Sequence, residues 1–259
     1  MDLGIRGRKA LLTGASKGMG KACAMALAQE GVELTIAARN GETLERTAGE
    51  IRETTGASVT IVAADITAQE GRARVLAACP DPDILLNNAG GYPPSDFRQW
   101  TREDWIGAID LMMLAPIEMM KSVVDGMMER RFGRIVNIVS RSVKIAQLEL
   151  GLSNGARSGL VGFTAGLSRQ TVARNVTINN ILPGIIDSDA QREHIAGMLE
   201  EGGPTFEEIW QRRASANPAG RYGRTEEVGA YFAFLCSDKA GFVTGQNLLI
   251  DGGGYPGTY

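Results

Sequence analysis

The 259-residue chain holds a single histidine, three cysteines and no surplus of positive charge. One imidazole excludes a histidine-rich metal site and argues against His-based nucleophilic triads; no metal is expected. Cys23, Cys79 and Cys236 lie far apart without a CxxC pair, so reduced, buried thiols are expected rather than a disulfide framework. Lys and Arg total 27 against 30 Asp and Glu, which leaves nothing over for neutralising nucleic-acid phosphates. No uncharged apolar run reaches the ~18 residues that cross a bilayer. The opening residues Met1 to Arg6 have no apolar stretch of the secretory type. A soluble, cytoplasmic protein with a small-molecule substrate is therefore expected, with no nucleic-acid or membrane partner.

What the chain does have is glycine, 33 residues, and ordinary globular composition at 44% hydrophobic and 22% charged. Short β-rich runs at 9–13, 32–38, 58–64, 83–87, 134–139, 176–182 and 247–250 alternate with helical patterns at 18–30, 42–54, 68–79, 102–131, 153–174 and 225–237. Several of the strands are apolar on both faces, as a parallel sheet covered by helices on each side requires. The alternation predicts one α/β domain over 1–259, a doubly wound parallel sheet of about seven strands with helices on both faces. Residues 187–218 break the rhythm. They read either as a helical lid over the carboxyl ends of the strands or as a solvated surface excursion.

The first strand runs into TGASKGMG at residues 13–20 and then a helix. Glycines at 14, 18 and 20 permit a tight turn and let backbone approach a pyrophosphate, while the helix start offers free N–H groups to phosphate. Between a strand and a helix, this turn points to a Rossmann-type dinucleotide site. The second strand ends Ala38-Arg39, where a site for NAD usually carries an acid. Arg39 and Lys17 instead supply cations suited to the 2′-phosphate of NADP. The competing reading makes both ordinary solvated charges.

Further motifs follow in order: Asp65 after the third strand, NNAG at 87–90, GRIVNIVS at 133–140, Pro183-Gly184, RYGRTEEV at 221–228 and DGG at 251–253. With the glycine turn, they make the sequence resemble the short-chain dehydrogenase/reductase family, in the branch of the 3-oxoacyl-acyl-carrier-protein reductases, from about residue 5 to about residue 255. The resemblance implies an NADP site formed by Gly14, Ser16, Lys17, Gly18, Met19, Gly20 and Arg39. Asp65 would touch the adenine edge, and Asn87, Asn88, Ala89 and Gly90 would line the adenosine ribose. Asn87 and Asn88 also read as ties for the strand end. Pro183, Gly184, Ile186 and Ser188 would hold the nicotinamide amide, with Ser188 standing where the family has Thr. The long helical patterns at 102–131 and 153–174 resemble the family's dimer-forming pair, which implies a homo-oligomer, a tetramer.

The family's chemistry uses Asn, Ser, Tyr and Lys. Ser140 matches the Ser, but the Tyr, Lys and Asn positions hold Ser153, Arg157 and Met112. An aliphatic hydroxyl is a far weaker acid than a phenol, and Arg157 stays protonated at working pH. At i+4 from Ser153, Arg157 can still bind a ribose or an oxyanion. Tyr92, in the loop after NNAG, reads as packing or substrate contact, with proton transfer as the alternative. His194 reads as a solvated lid residue rather than a catalyst, and Arg141 as an anion contact or a solvated charge. Tyr255 and Tyr259 belong to a tail at a subunit edge. The reading that follows is an NADP-dependent oxidoreductase on a carbonyl/alcohol pair, with Ser140, Ser153 and Arg157 as catalytic candidates and a nonstandard proton source. Non-redox enolate chemistry (C–C cleavage, dehydration or isomerisation) and a catalytically silent NADP-binding protein remain as alternatives.

Overall fold

A computed structural model describes residues 1–197, 199 and 202–258. Tyr259 lies outside the described residues. In chain order the strands are β1 (Lys9–Thr13), β2 (Glu33–Ala38), β3 (Val59–Ala63), β4 (Ile84–Asn87), β5 (Gly133–Ile138), β6 (Val176–Pro183), β7 (Ile186–Asp187), β8 (Gly223–Arg224) and β9 (Asn247–Ile250). The α-helices are α1 (Gly18–Gln29), α2 (Gly41–Thr55), α3 (Gln69–Ala78), α4 (Arg102–Ile109), α5 (Ala115–Glu129), α6 (Gly151–Thr171), α7 (Asp189–Ala196), α8 (Phe206–Ala216) and α9 (Thr225–Cys236). Seven strands form one parallel sheet in the order β3-β2-β1-β4-β5-β6-β9, and β7 pairs with β8 apart from it. None of the helices is long and apolar enough to cross a membrane among the described residues.

Successive side chains of a strand point to opposite faces. In β1, Leu12 therefore packs with Ala24, Leu27, Leu44 and Phe232 on the α1/α9 side, and Leu11 with Val75, Met119, Met120 and Leu160 on the other. Both leucines are fully buried, which is why the strand reads as a continuous apolar run. Cys23, Cys79 and Cys236 are free and buried, and burial pushes all three thiols up in pKa.

Asparagines interrupt these apolar runs at matched register positions. Asn87 Nδ2 donates to Asn137 Oδ1 at 2.9 Å, and Asn137 Nδ2 to Asn180 Oδ1 at 2.9 Å. Asn180 Nδ2 in turn donates to Asn247 Oδ1 at 2.8 Å and to Thr164 Oγ1 at 3.0 Å. The ladder crosses β4, β5, β6 and β9, each rung a cross-strand partner pair. Buried amides demand such pairing, and a chain of them fixes the register of four strands.

The helical pattern over 102–131 is interrupted. A capping box of Thr101 and Asp104 starts α4. A π-turn at Asp110–Leu114 follows, and only then α5. The inserted turn carries buried Met112 against Ala108, Leu152 and Ala156. Met112 thus sits in a π-turn, a shift from i→i+4 to i→i+5 bonding that alternating apolarity does not reveal.

Candidate active site

The strand order reverses between β1 and β4, and a crevice at the carboxyl ends of the strands is the usual ligand position of such a sheet. Gly14 leaves β1 with φ +59°, and a Cβ there would lie 2.2 Å from the Asn88 carbonyl oxygen. A Cβ on Gly20 would lie 2.2 Å from the Gly14 oxygen. Only glycine allows this double close approach. The loop is tied from the other side: Asn88 Nδ2 donates to Gly14 O at 2.8 Å, and the Asn88 N–H donates to Thr13 Oγ1 at 3.1 Å. Asn87 itself is buried and its amide is part of the ladder, so its side chain faces the sheet interior.

No side chain caps α1, whose start at Gly18, Met19 and Gly20 therefore keeps its first N–H groups available. Ser16 holds α2 through its carbonyl, which accepts from Thr47 Oγ1 at 2.7 Å. An open cleft of about 760 Å³ runs from Ser16, Lys17 and Gly18 along α1 and past Ser188 and Arg192; Ser140, Ser153 and Arg157 do not line it. Arg39 is exposed at the end of β2, close enough to Asp65 for its charge to act there. Asp65 accepts from the Thr67 N–H and hydroxyl, and those bonds hold its carboxyl below the usual range. Lys17 is not free: its Nζ meets Glu193 Oε1 of α7 at 2.7 Å. These residues fit a phosphorylated dinucleotide: an uncapped helix start and a glycine turn without room for side chains meet at the end of β1, with Lys17 in the turn and Arg39 at the end of the neighbouring β2.

At the carboxyl end of β5, Ser140 is extended and its Oγ accepts the Ser142 N–H at 3.1 Å. Ser153 and Arg157 lie one turn apart near the start of α6, both buried. Arg157 Nε donates to Ser153 Oγ at 3.1 Å and Nη1 to Ile138 O at 2.9 Å, while Nη2 reaches Ala89 O and Gly90 O at 3.4 Å each. The guanidinium thus links β5, the NNAG strand end and Ser153. It has no carboxylate partner among the described residues, and burial lowers its pKa to about 10. Protonated at neutral pH, it can only donate.

The remaining sequence candidates scatter. The Tyr92 hydroxyl lies against Gly107 of α4, where a Cβ would be 2.3 Å away, and its ring packs beside Met112 and Leu152. Pro183 closes β6, and Gly184 sits tight against Asp251. Ile186 is buried in β7. Ser188 caps α7 by accepting the Gln191 N–H at 3.3 Å. Arg141 is 4.0 Å from Asp251, a partly buried pair. Tyr255 lies under the ammonium of Lys144. His194 is half-buried in α7, and burial with the nearby Arg213 charge keeps it below its ordinary pKa. Sequence reasoning missed the asparagine ladder. The signal for the ladder was present as single asparagines inside otherwise apolar strands.

Comparison with known proteins agrees with the fold. The family model described as Enoyl-(Acyl carrier protein) reductase matches residues 14–254. The NADPH-dependent reductase BacG of Bacillus subtilis (strain 168) is 31% identical over 251 residues, 95% of this chain and 97% of the relative. The 3-oxoacyl-[acyl-carrier-protein] reductase FabG of Vibrio cholerae is 32% identical over 257 residues, covering 98% and 99%. Among solved structures, L-sorbose reductase from Gluconobacter frateurii complexed with NADPH and L-sorbose superposes with a TM-score of 0.92 at 28% identity, covering 97% of this chain and 98% of that one.

Proposed function

The chain belongs to the short-chain dehydrogenase/reductase family, and from that membership we propose an NADPH-dependent reductase of a carbonyl substrate in which a Ser153–Arg157 pair replaces the family's Tyr and Lys. Gly14, Gly18, Met19, Gly20 and the start of α1 would hold the pyrophosphate. Lys17 and Arg39 would hold the 2′-phosphate, and Asp65 the adenine side. Ala89 and Gly90 would flank the ribose beside Arg157, with Pro183, Gly184, Ile186 and Ser188 at the nicotinamide. Bound there, NADPH supplies the hydride to the carbonyl carbon.

The observation that carries the reading is the Arg157 Nε contact to Ser153 Oγ at 3.1 Å. Because a guanidinium has no acceptor, it occupies a lone pair of Oγ and leaves the Ser153 hydrogen to be donated elsewhere. Ser140 is arranged alike, its Oγ accepting from Ser142 N–H and its own hydrogen without an acceptor among the described residues. Two hydroxyl donors and a buried positive charge suit an oxygen that becomes negative as the carbon is reduced. The proton that completes the alcohol passes from water through the Ser153 hydroxyl, which returns to its starting state. Arg157 keeps its own proton throughout. Purified protein with NADPH and a panel of β-keto esters, diketones and quinones tests this by the fall of reduced-nicotinamide absorbance. Turnover with at least one carbonyl is expected; none across the panel overturns the reading.

The same reading includes a homo-oligomer, in keeping with the apolar Trp105, Ile106, Leu114 and Phe163 exposed on α4, the π-turn and α6, which a second copy would cover. A tetramer is expected in sedimentation velocity, and a monomer would remove that part. The free, buried cysteines fit a reducing compartment, the cytoplasm.

A further inference from the structure

The chain after β9 folds back across the turn that carries Ser140. That turn is short. The Val143 N–H donates to Ser140 O at 3.3 Å, and the N–H groups of Lys144 and Ile145 donate to Arg141 O at 2.9 and 3.2 Å. Within it the Ser142 N–H donates to Ser140 Oγ at 3.1 Å, so the path of residues 141–142 helps decide where the Ser140 hydroxyl points. Arg141 leaves the turn toward the tail. Its Nη1 lies 4.0 Å from Asp251 Oδ2 and fills the space that a side chain at Gly254 would need, since a Cβ there would be 2.2 Å from Nη1. Gly254 is not left-handed in φ, so what glycine provides at this position is room for the guanidinium.

Asp251 is the junction of the tail. Its side chain is almost wholly buried; Oδ1 accepts the Gly253 N–H at 3.1 Å, while Oδ2 is out of solvent with no hydrogen-bond donor. Arg141 is the one cation paired with it among the described residues. Three segments meet here. The Asp251 carbonyl accepts Asn217 Nδ2 at 2.8 Å, just after α8; a Cβ on Gly184 would lie 2.6 Å from the Asp251 Cβ; and Arg141 brings in the Ser140 turn. Tyr255 adds a second contact with that turn, its ring centroid 5.5 Å from Lys144 Nζ. A buried carboxylate oxygen without a donor is costly, and a neighbouring guanidinium offsets part of the cost. Arg141 is therefore drawn to the tail rather than to solvent, and its backbone lies between Ser140 and the Ser142 N–H.

We propose that Arg141 and Asp251 are positioning residues of the reacting centre. Their pair draws the turn after β5 against the C-terminal tail and thereby fixes the Ser140 hydroxyl. The tail, through Asp251 and Gly254, is then part of the active-site framework. The effect on rate rests on the carbonyl-reductase reading. The effect on Ser140 does not, because the Ser142 amide reports it directly.

The experiment combines site-resolved amide hydrogen exchange of the full chain with steady-state NADPH oxidation on a β-keto ester, in the same variants. Arg141→Met and Asp251→Asn should each speed exchange of the Ser142 amide at least roughly tenfold, toward its rate in Ser140→Ala, while the amides of β4 and β5 keep theirs. kcat should fall about tenfold to 10²-fold, the scale of a misplaced reacting group, with KM for NADPH changed less than about twofold. The two substitutions remove one shared interaction, so the double variant should lose no more than either alone. Gly254→Ala keeps both charges but takes the space of Nη1, and should reproduce the loss. Arg141→Lys should retain part of the wild-type rate. Unchanged Ser142 exchange in Arg141→Met, unchanged kcat, single losses that add in the double variant, or faster exchange spread evenly over the sheet overturns the proposal. Absence of NADPH turnover in the wild-type chain would instead overturn the reductase reading alone, and Ser142 exchange would still decide whether the pair positions Ser140.

Discussion

Two buried arginines serve opposite ends of the same strand. Arg134, the second residue of β5, is fully enclosed. Its Nε donates to Ser237 O at 3.1 Å, its Nη1 to Gly133 O and Asn175 O at 2.9 Å, and its Nη2 to Asn175 Oδ1 at 3.2 Å, with the Phe132 ring 4.4 Å from its carbon. Arg157 meets the carboxyl end of β5 through Ile138 O, but its Nη2 is held only by two long contacts, to Ala89 O and Gly90 O just after β4. Burial lowers the pKa of both. The difference lies in how completely each is satisfied. Arg134 is a fastener whose donors are matched by protein. Arg157 keeps donor capacity at the reacting end, which is where a reductase without a phenol needs a fixed positive charge.

Mutation separates the two roles. The largest effect is expected from Arg157→Met, which removes the charge and the Ser153 partner: kcat/KM should fall by roughly 10²- to 10³-fold, the scale of losing a preorganised oxyanion donor. Arg134→Met should instead lower unfolding free energy by about 3 kcal/mol, since several buried carbonyls lose their donor. Its kcat should stay near wild type while folded, which denaturant titration and steady-state kinetics check together. Ser153→Ala should cost about 10²-fold in kcat with little change in stability. If Arg157→Met behaved like Arg134→Met, the contrast between the ends of β5 would be lost.

The smallest effect concerns the cofactor side. Lys17 is paired with Glu193, both largely exposed, and such surface pairs are weak and salt-screened. A bound 2′-phosphate would compete for the same ammonium. Glu193→Gln should tighten NADPH binding a few-fold and leave NADH binding unchanged, read by fluorescence titration. Equal effects on the two nucleotides would detach Lys17 from the 2′-phosphate.

The seven sheet strands were legible from apolar runs to within a residue or two, because burial on both faces leaves few polar interruptions. The glycine turn was legible because its residues have one geometric use between a strand and a helix. The β7–β8 pair was not, since two residues carry no periodicity. The π-turn at Asp110–Leu114 was hidden because an inserted residue changes bonding without changing composition. Ser153 and Arg157 were located by position, yet their mutual hydrogen bond and the tie to Ile138 depend on tertiary packing of α6 on β5.

In the proposed mechanism a hydroxyl held by a guanidinium that is charged throughout the neutral range does the work of a titrating acid. The pH dependence of kcat/KM for NADPH-driven reduction tests it most directly. Arg157 loses its proton only as pH rises through about 10, and Ser153 does not ionise in the working range. A level profile is expected from about pH 7 to 9, with a decline only on approaching pH 10. A profile governed by a group titrating between 7 and 9, persisting in the Ser153→Ala variant, would contradict it.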